Sequence, residues 1–406
     1  MRIRSLEPGH ARDGEPCASG PTGLPVLTEL DIAVGWPFGV LPLPSPPEVV
    51  DADPVRALRE ALRPALLRSP CVVAFSGGRD SSLVLAHAAD LAAREGLPAP
   101  VALTFRYPGD PAAEESSWQE LVLGHLRDSG LDLEWVRRDV TDELDNIGLL
   151  TAPVLRAHGG PTFPAGLGSA ILQASYAMGG SLVTGNSGDE VVGEHRMGVL
   201  RALLRRRGRR LTGADWWLVG ESAMPARLRA RLAAKGALGA TWLRPAALAA
   251  AAREMRLQAA APLRWDRSVW ATTTPRAVSI NYRTRDRMFA ERDCRLVEPL
   301  GSVGFVASYA GFGKRWGGLT RTGGIRFLSG GLLPDPVIRR GQKAFFNGSR
   351  FGLVSREFAR TWDGRGLNDD LVDAERLREA WLSDLPPGGT GPLLQQAWLA
   401  SSAGRP

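Results

Sequence analysis

Two short stretches carry residue types suited to phosphate and a divalent cation. The first is Ser76-Gly77-Gly78-Arg79-Asp80-Ser81-Ser82. Its glycines let backbone N–H groups close in on an anion, and its serines add hydroxyl donors. A helix opening behind it would turn its positive dipole end to the same point. Asp80 is out of place in a loop that binds phosphate alone, because a carboxylate repels it. A bridging Mg2+ removes the conflict, since carboxylate and phosphate oxygens are both hard ligands. The second stretch is Thr184-Gly185-Asn186-Ser187-Gly188-Asp189-Glu190-Val191-Val192-Gly193. It offers glycines for close approach and, in Asp189, a second carboxylate to share the cation. Without function, the first stretch is a glycine turn whose Ser81 and Ser82 cap a helix, and the second is an ordinary Gly-Asp-Glu turn. Their joint presence behind candidate strands favours the phosphate reading. No Gly-x-x-x-x-Gly-Lys-Ser/Thr occurs, which excludes a Walker-type loop.

The flanking sequence predicts the elements that position both stretches. Cys71-Val-Val-Ala-Phe is a short apolar run of the kind found in buried parallel strands, and a helix is expected over 81–95. Val101-Ala-Leu-Thr-Phe, Leu133-Glu-Trp-Val and Ser181-Leu-Val-Thr are further strands, alternating with helices over 116–129 and 169–178. Such alternation predicts an α/β fold with a doubly wound parallel sheet. Ligands of such sheets lie beyond the carboxyl ends of the strands, where both stretches fall. A helix with Pro54 near its start is expected over 54–68, opening an α/β unit of residues 54–200. Residues 1–53, rich in Pro and Gly, read as an N-terminal extension with a strand or two, for example at Asp31-Ile-Ala-Val. Residues 201–384 read as a mainly helical unit and 385–406 as a tail, with a loop at Leu385-Pro-Pro-Gly-Gly-Thr-Gly-Pro and then a short helix or free end.

The chain has 406 residues, 44% hydrophobic and 23% charged, the balance of a globular protein. Its net charge of +7 invites nucleic acid, but the basic residues are almost all Arg, a compositional bias rather than a binding stripe. The lysines are Lys235, Lys314 and Lys343. A lysine kept in such a background points to a place where a compact, titratable ammonium is needed. The run Arg205–Arg210 reads as a solvated helix end, or as a hold for an acidic peptide or carrier. No apolar run is long enough for a bilayer and the first residues lack an apolar signal core, so a cytoplasmic location is expected. Cys17, Cys71 and Cys294 and the five His lack metal-ligand spacing.

The first loop resembles that of the ATP-pyrophosphatase superfamily, and the two loops together resemble the asparagine synthetase family. Further segments agree. Thr104-Phe105 to Glu115 is similar to the family's second strand and acidic turn. Arg295-Leu-Val-Glu-Pro-Leu is similar to its Arg-x-x-x-Pro-Phe-Leu-Asp, with Gly301 where Asp is usual. Arg326 to Pro334 and Arg339-Arg340-Gly-Gln-Lys343-Ala-Phe-Phe346 resemble its ending, with one extra residue before Lys343.

The resemblance implies an adenine nucleotide α-hydrolase-like sheet, with ATP and Mg2+ as cofactors. It implies Ser76, Gly77, Gly78, Asp80, Ser81, Ser82, Thr104, Gly185 and Asp189 as nucleotide-binding residues, Asp80 and Asp189 as metal ligands, and Lys343 and Asn186 as catalytic. The activity it implies is an AMP-forming carbon–nitrogen ligase. A substrate carboxylate attacks the α-phosphate, pyrophosphate leaves, and an amine or ammonia takes the acyl group. Asn186 stands where many asparagine synthetases have Glu and β-lactam synthetases have Tyr, and His195 stands where Gly-Tyr usually ends the motif. The glutaminase domain that begins Met-Cys-Gly has no counterpart before Ser76. The expected ammonia source is therefore a separate glutaminase, or an internal amine as in the β-lactam and lasso peptide cyclases of the family. A peptide or carrier-protein substrate fits the second case. Two readings of other classes are a tRNA-modifying enzyme of the superfamily and an inactive scaffold. Asp189 and the Lys343 segment disfavour the first, and the presence of Asp80, Asp189 and Lys343 together disfavours the second.

Overall fold

The computed structural model describes residues 19–42, 45, 52–108, 110–197, 200, 240–258, 262–317, 319–341, 347–401 and 404, with a few single residues between 216 and 228. Strands β1 (Cys71–Ala74), β2 (Val101–Arg106), β3 (Trp135–Asp139), β4 (Ser181–Val183) and β5 (Arg295–Val297) form one sheet in the order β3-β2-β1-β4-β5. Every pairing is parallel. The expected α/β class is what the chain adopts.

Helices cover both faces of the sheet, and the strand residues divide accordingly, since successive side chains point to opposite sides. On one face Val73, Ala102 and Val183 pack with Leu58 and Leu62 of the helix Pro54–Leu66 and with Leu83 of the helix Arg79–Glu95. The latter helix is buried almost all round from Ser81 to Ala92, which is why its sequence shows little amphipathic stripe. On the other face Val72, Leu103, Leu182 and Leu296 pack with Ala174 of the helix Leu167–Tyr176 and Phe289 of the helix Arg276–Ala290. β1 lies at the centre, and the order reverses between β1 and β4. The crevice at their carboxyl ends is the switch point where such sheets take ligands.

One expectation is corrected, and two segments add to the sheet and the core. The segment 201–384, expected to be mainly helical, supplies β5, which completes the sheet of the unit expected to end at residue 200. Its helices Val303–Gly313 and Arg321–Ser329 also belong to the main core, through Phe305, Tyr309, Ile325 and Leu328. Asp31-Ile-Ala-Val is helical rather than a strand. Thr28 and Asp31 form a reciprocal capping box and Gly35 closes the helix Glu29–Val34 in the left-handed region, so local hydrogen bonding outweighs the β-branched residues. Of the two readings of the last residues, the structure has the helix, Gly391–Ala400, whose Leu393, Leu394 and Trp398 join a second core with Trp242, Phe351 and Trp381. Gln395 in that helix is fully buried and donates to the carbonyls of Asn146 and Ala165 at 3.0 and 2.9 Å.

His87 ties the helix Arg79–Glu95 to the helix Arg321–Ser329. Its Nε2 lies 2.8 Å from the carbonyl oxygen of Leu328, so Nε2 carries the proton, while Nδ1 is buried with no hydrogen-bond partner. Burial pushes the imidazole down to about 4 from its ordinary 6.5. A depressed pKa means that stability is fully present above 6.5 and is lost as pH falls through about 4. We therefore expect the urea midpoint of the protein to fall over that window. His87→Gln, which keeps an N–H donor but cannot take up a proton, should remove this component of the decline. An unchanged pH profile in the variant would contradict the assignment.

Candidate functional site

The first loop leaves β1 at Phe75 and enters the helix Arg79–Glu95 at Gly78, which caps it with no side-chain bond. Gly77 has φ +80, the left-handed region that favours glycine. A Cβ there would sit 2.9 Å from Gln119 Cγ and 3.2 Å from Gln119 N, so the loop backbone is pressed onto the start of the helix Ser116–Asp128. Gln119 Nε2 donates to the Ser76 carbonyl at 3.2 Å. Within the loop the Ser76 and Ser81 hydroxyls lie 3.0 Å apart, Ser81 Oγ donates to the Gly78 carbonyl at 3.1 Å, and Gly78 N donates to Ser76 Oγ at 3.3 Å. Ser76 is exposed, whereas Ser82 is fully buried with an unpartnered hydroxyl.

The second loop leaves β4 and presses against the first. A Cβ on Gly185 would lie 2.6 Å from Ser81 N, and one on Gly188 would lie 2.4 Å from Asp80 Cγ. Both glycines are therefore required by close approach rather than by their own φ. Ser187 turns the chain with φ +67, and Gly301 faces it, since a Cβ there would meet Ser187 Oγ at 2.7 Å. The Gly found where the related motif has Asp thus makes room for this turn.

The two carboxylates meet. Arg321 Nη2 lies 2.7 Å from Asp80 Oδ2 and 2.5 Å from Asp189 Oδ1. Asp80 Oδ1 is buried and has no hydrogen-bond partner. Desolvation raises the Asp80 pKa, the Arg321 charge opposes that rise, and the Asp189 charge adds to it. Arg79, beside Asp80 in the loop, has its own pKa lowered by burial and by the neighbouring Arg321. A rim with two carboxylates, one of them carrying a buried unpaired oxygen, fits a divalent cation whose remaining ligands are phosphate oxygens and water. Among the described residues there is no group of three or more His, Cys, Asp or Glu that could hold a metal alone.

A second ion pair supports the loop from behind. Arg340 pairs with Glu115, both buried, donates to the Gly77 carbonyl at 3.3 Å, and lies over the Trp118 ring with Cζ 4.8 Å from its centroid. The acidic turn and the C-terminal segment noted in the sequence thus meet beneath the first loop.

The structure brings together Ser76, Gly77, Gly78, Asp80, Ser81, Gly185 and Asp189. Thr104 is not on the surface of this group. It is fully buried, donates to the Phe75 carbonyl at 2.8 Å and accepts from Trp135 Nε1 at 3.0 Å, so it fixes the end of β1 from the neighbouring strand. Asn186 is exposed, and its Nδ2 donates to Glu298 at 3.0 Å, which in turn pairs with the partly buried Arg285. His195 is a core residue bonded to Ser268 Oγ and the Val191 carbonyl, with burial lowering its pKa. Lys343 and the Arg205–Arg210 run lie outside the described residues. Sequence reasoning missed Arg321 and the role of Arg340. Thr320 marks the start of the helix that carries Arg321, as an N-cap bonded to Gly323 N, but nothing local singles out the arginine itself.

No known protein-family profile matches the chain, and no curated protein matches it either.

The contact between Gly188 and Asp80 is directly testable. Gly188→Ala should lower stability by about 1–3 kcal/mol, the usual cost of forced overpacking, read from the denaturant midpoint. In an Asp80→Ala background most of that cost should vanish, because the added methyl then has space. A cost that is the same in both backgrounds would contradict the close approach.

Proposed function

We propose that this chain is an ATP-dependent, AMP-forming ligase of the asparagine synthetase type, built on an adenine nucleotide α-hydrolase-like sheet. The observation that carries the reading is the meeting of Asp80 and Asp189, from loops after β1 and β4, on one cationic group at the switch point of a parallel sheet. A binding site for a triphosphate and its metal needs this: donors from a helix N-terminus, two carboxylates on one rim, and fixed positive charge around them.

The residues divide the work as follows. Backbone N–H groups of the first loop and the Ser76 and Ser81 hydroxyls hold the β- and γ-phosphates. Asp80 and Asp189 hold Mg2+, which, when bound, neutralises charge on the triphosphate. Arg79 adds positive charge at the same rim, and Arg340, through the Gly77 carbonyl and Glu115, fixes the loop. A carboxylate oxygen of the substrate forms its bond to the α-phosphorus as the bond to the bridging oxygen breaks, releasing pyrophosphate. The amine then attacks the acyl carbon, AMP leaves, and the amine's proton is lost. The protein's part is positioning and charge stabilisation. Asn186, held by Glu298, presents its amide beside the second loop, where the acyl group would lie. Lys343 is assigned to the charge that builds on the departing phosphate.

An anionic macromolecule is a weaker reading. A concavity of about 420 Å³ at the ends of β2 and β3 is lined by Arg106, Arg137, Arg138 and Asp139. Arg106 is already paired with Asp139 and Arg138 with Glu143, so much of its charge is spent internally.

ATP–pyrophosphate exchange with a panel of carboxylic acids tests the reading. Exchange should require one acid, and Asp80→Ala or Asp189→Ala should abolish it while circular dichroism stays native. RNA-dependent exchange would move the chain to the tRNA-modifying class, and exchange with no acid or RNA would sink the proposal. Lys343→Arg should lose product formation by about a hundredfold, as for loss of one charge-stabilising group. Wild-type turnover in that variant would return Lys343 to a surface role.

A further inference from the structure

The position between the two carboxylates is taken by the chain's own guanidinium. Arg321 Nη2 contacts both Asp80 and Asp189, and the Arg321 side chain is only 15% exposed. We propose that Arg321 keeps divalent cations off the Asp80–Asp189 pair until a nucleotide brings one, so that metal and nucleotide load together. This rests on the reading of Asp80 and Asp189 as the metal-holding pair.

The delivery of Arg321 is built into the packing. It is the first residue of the helix Arg321–Ser329, capped by Thr320 Oγ1, which accepts from Gly323 N at 3.2 Å. A Cβ on Gly324 would lie 2.7 Å from the Tyr309 hydroxyl and 2.9 Å from Val192 Cγ1, so the helix sits directly on the turn that carries Asp189. Its far end is held to the helix that carries Asp80 by the His87–Leu328 bond. The guanidinium is thus aimed by elements fixed to both carboxylates.

The contact is nevertheless half satisfied. Asp80 Oδ1 and Arg321 Nε are both buried without a hydrogen-bond partner. Unpaired buried polar atoms favour exchange for a better set of partners. A hydrated Mg2+ alone would have to expel an always-charged guanidinium and shed water in return for two carboxylates. A metal carried by a triphosphate brings its own phosphate ligands and gives the released guanidinium an anion to bind. Exchange is therefore uphill for free metal and downhill for the metal–nucleotide complex.

The test uses Mn2+ as an EPR-visible probe on the full chain, with α,β-methylene-ATP as a nucleotide that cannot transfer AMP. Wild-type protein should bind Mn2+ only weakly alone and in a one-to-one complex when the analogue is present. Arg321→Gln should bind Mn2+ without nucleotide at least about tenfold more tightly than wild type, since close charge pairs couple by that much or more. Its unfolding temperature should rise with added Mn2+, whereas that of wild type should not. D189N in the R321Q background should remove both gains. Equal Mn2+ affinity of wild type and R321Q without nucleotide would overturn the proposal. So would tight, Asp189-dependent Mn2+ binding by nucleotide-free wild type, a measurement that does not depend on how the variant folds. If wild type binds no Mn2+ even with the analogue, the nucleotide reading falls and the proposal with it. Binding with the analogue but no gain in R321Q removes the proposal alone.

Discussion

Asp80 and Asp189 carry like charges within reach of the same guanidinium nitrogen, and on a partly buried rim that arrangement persists only while a cation stays between them. The surrounding structure is organised around that requirement. Gly185 and Gly188 let the second loop touch the first, and the helix Arg321–Ser329 packs on both of the elements involved. The electrostatic demand and the steric one are satisfied by the same set of contacts.

The loop after β1 gains its shape from outside itself. Its internal bonds join Ser76, Gly78 and Ser81, and these alone would leave a small loop free to move. Gln119 on the Ser76 carbonyl and Arg340 on the Gly77 carbonyl both fix its N-terminal end, where it leaves β1. Arg340 is in turn committed to the buried Glu115, an arrangement whose worth is geometric, since burying the pair costs much of what their attraction returns. A loop held in this way keeps its backbone N–H groups and hydroxyls in fixed positions, the condition under which preorganised sites gain their strength.

Later segments of the chain close the structure that earlier ones open. β5 extends the sheet beside β4, and Glu298, just past its end, receives the amide of Asn186. Residues from 300 to 340 fill the main core, while the helices Glu29–Val34 and Gly391–Ala400 meet in the second. The site is thus assembled from parts of the chain that lie far apart, and loss of a C-terminal segment would reach the loop after β1 through Arg340 and Arg321.

Sequence alone settled the features that are local. Apolar runs of four or five residues behind turn residues marked β1, β2 and β4, because burial on both faces leaves no alternation to read. Ser-Gly-Gly-Arg-Asp-Ser and Gly-Asn-Ser-Gly-Asp marked their loops, because close approach and charge demand those residue types in that order. The helix start at Pro54 was legible from the proline itself, which sits in the first turn. Tertiary structure decided what depends on distant partners. Thr104 belongs to the support of β1 rather than to the loop surface, because its hydroxyl is used by Phe75 and Trp135. The helix at Glu29 depended on the reciprocal bonds of Thr28 and Asp31, which a β-branched run conceals. Arg321 could not be chosen in a chain so rich in arginine, since what distinguishes it is not its type but its position between two carboxylates contributed by other segments.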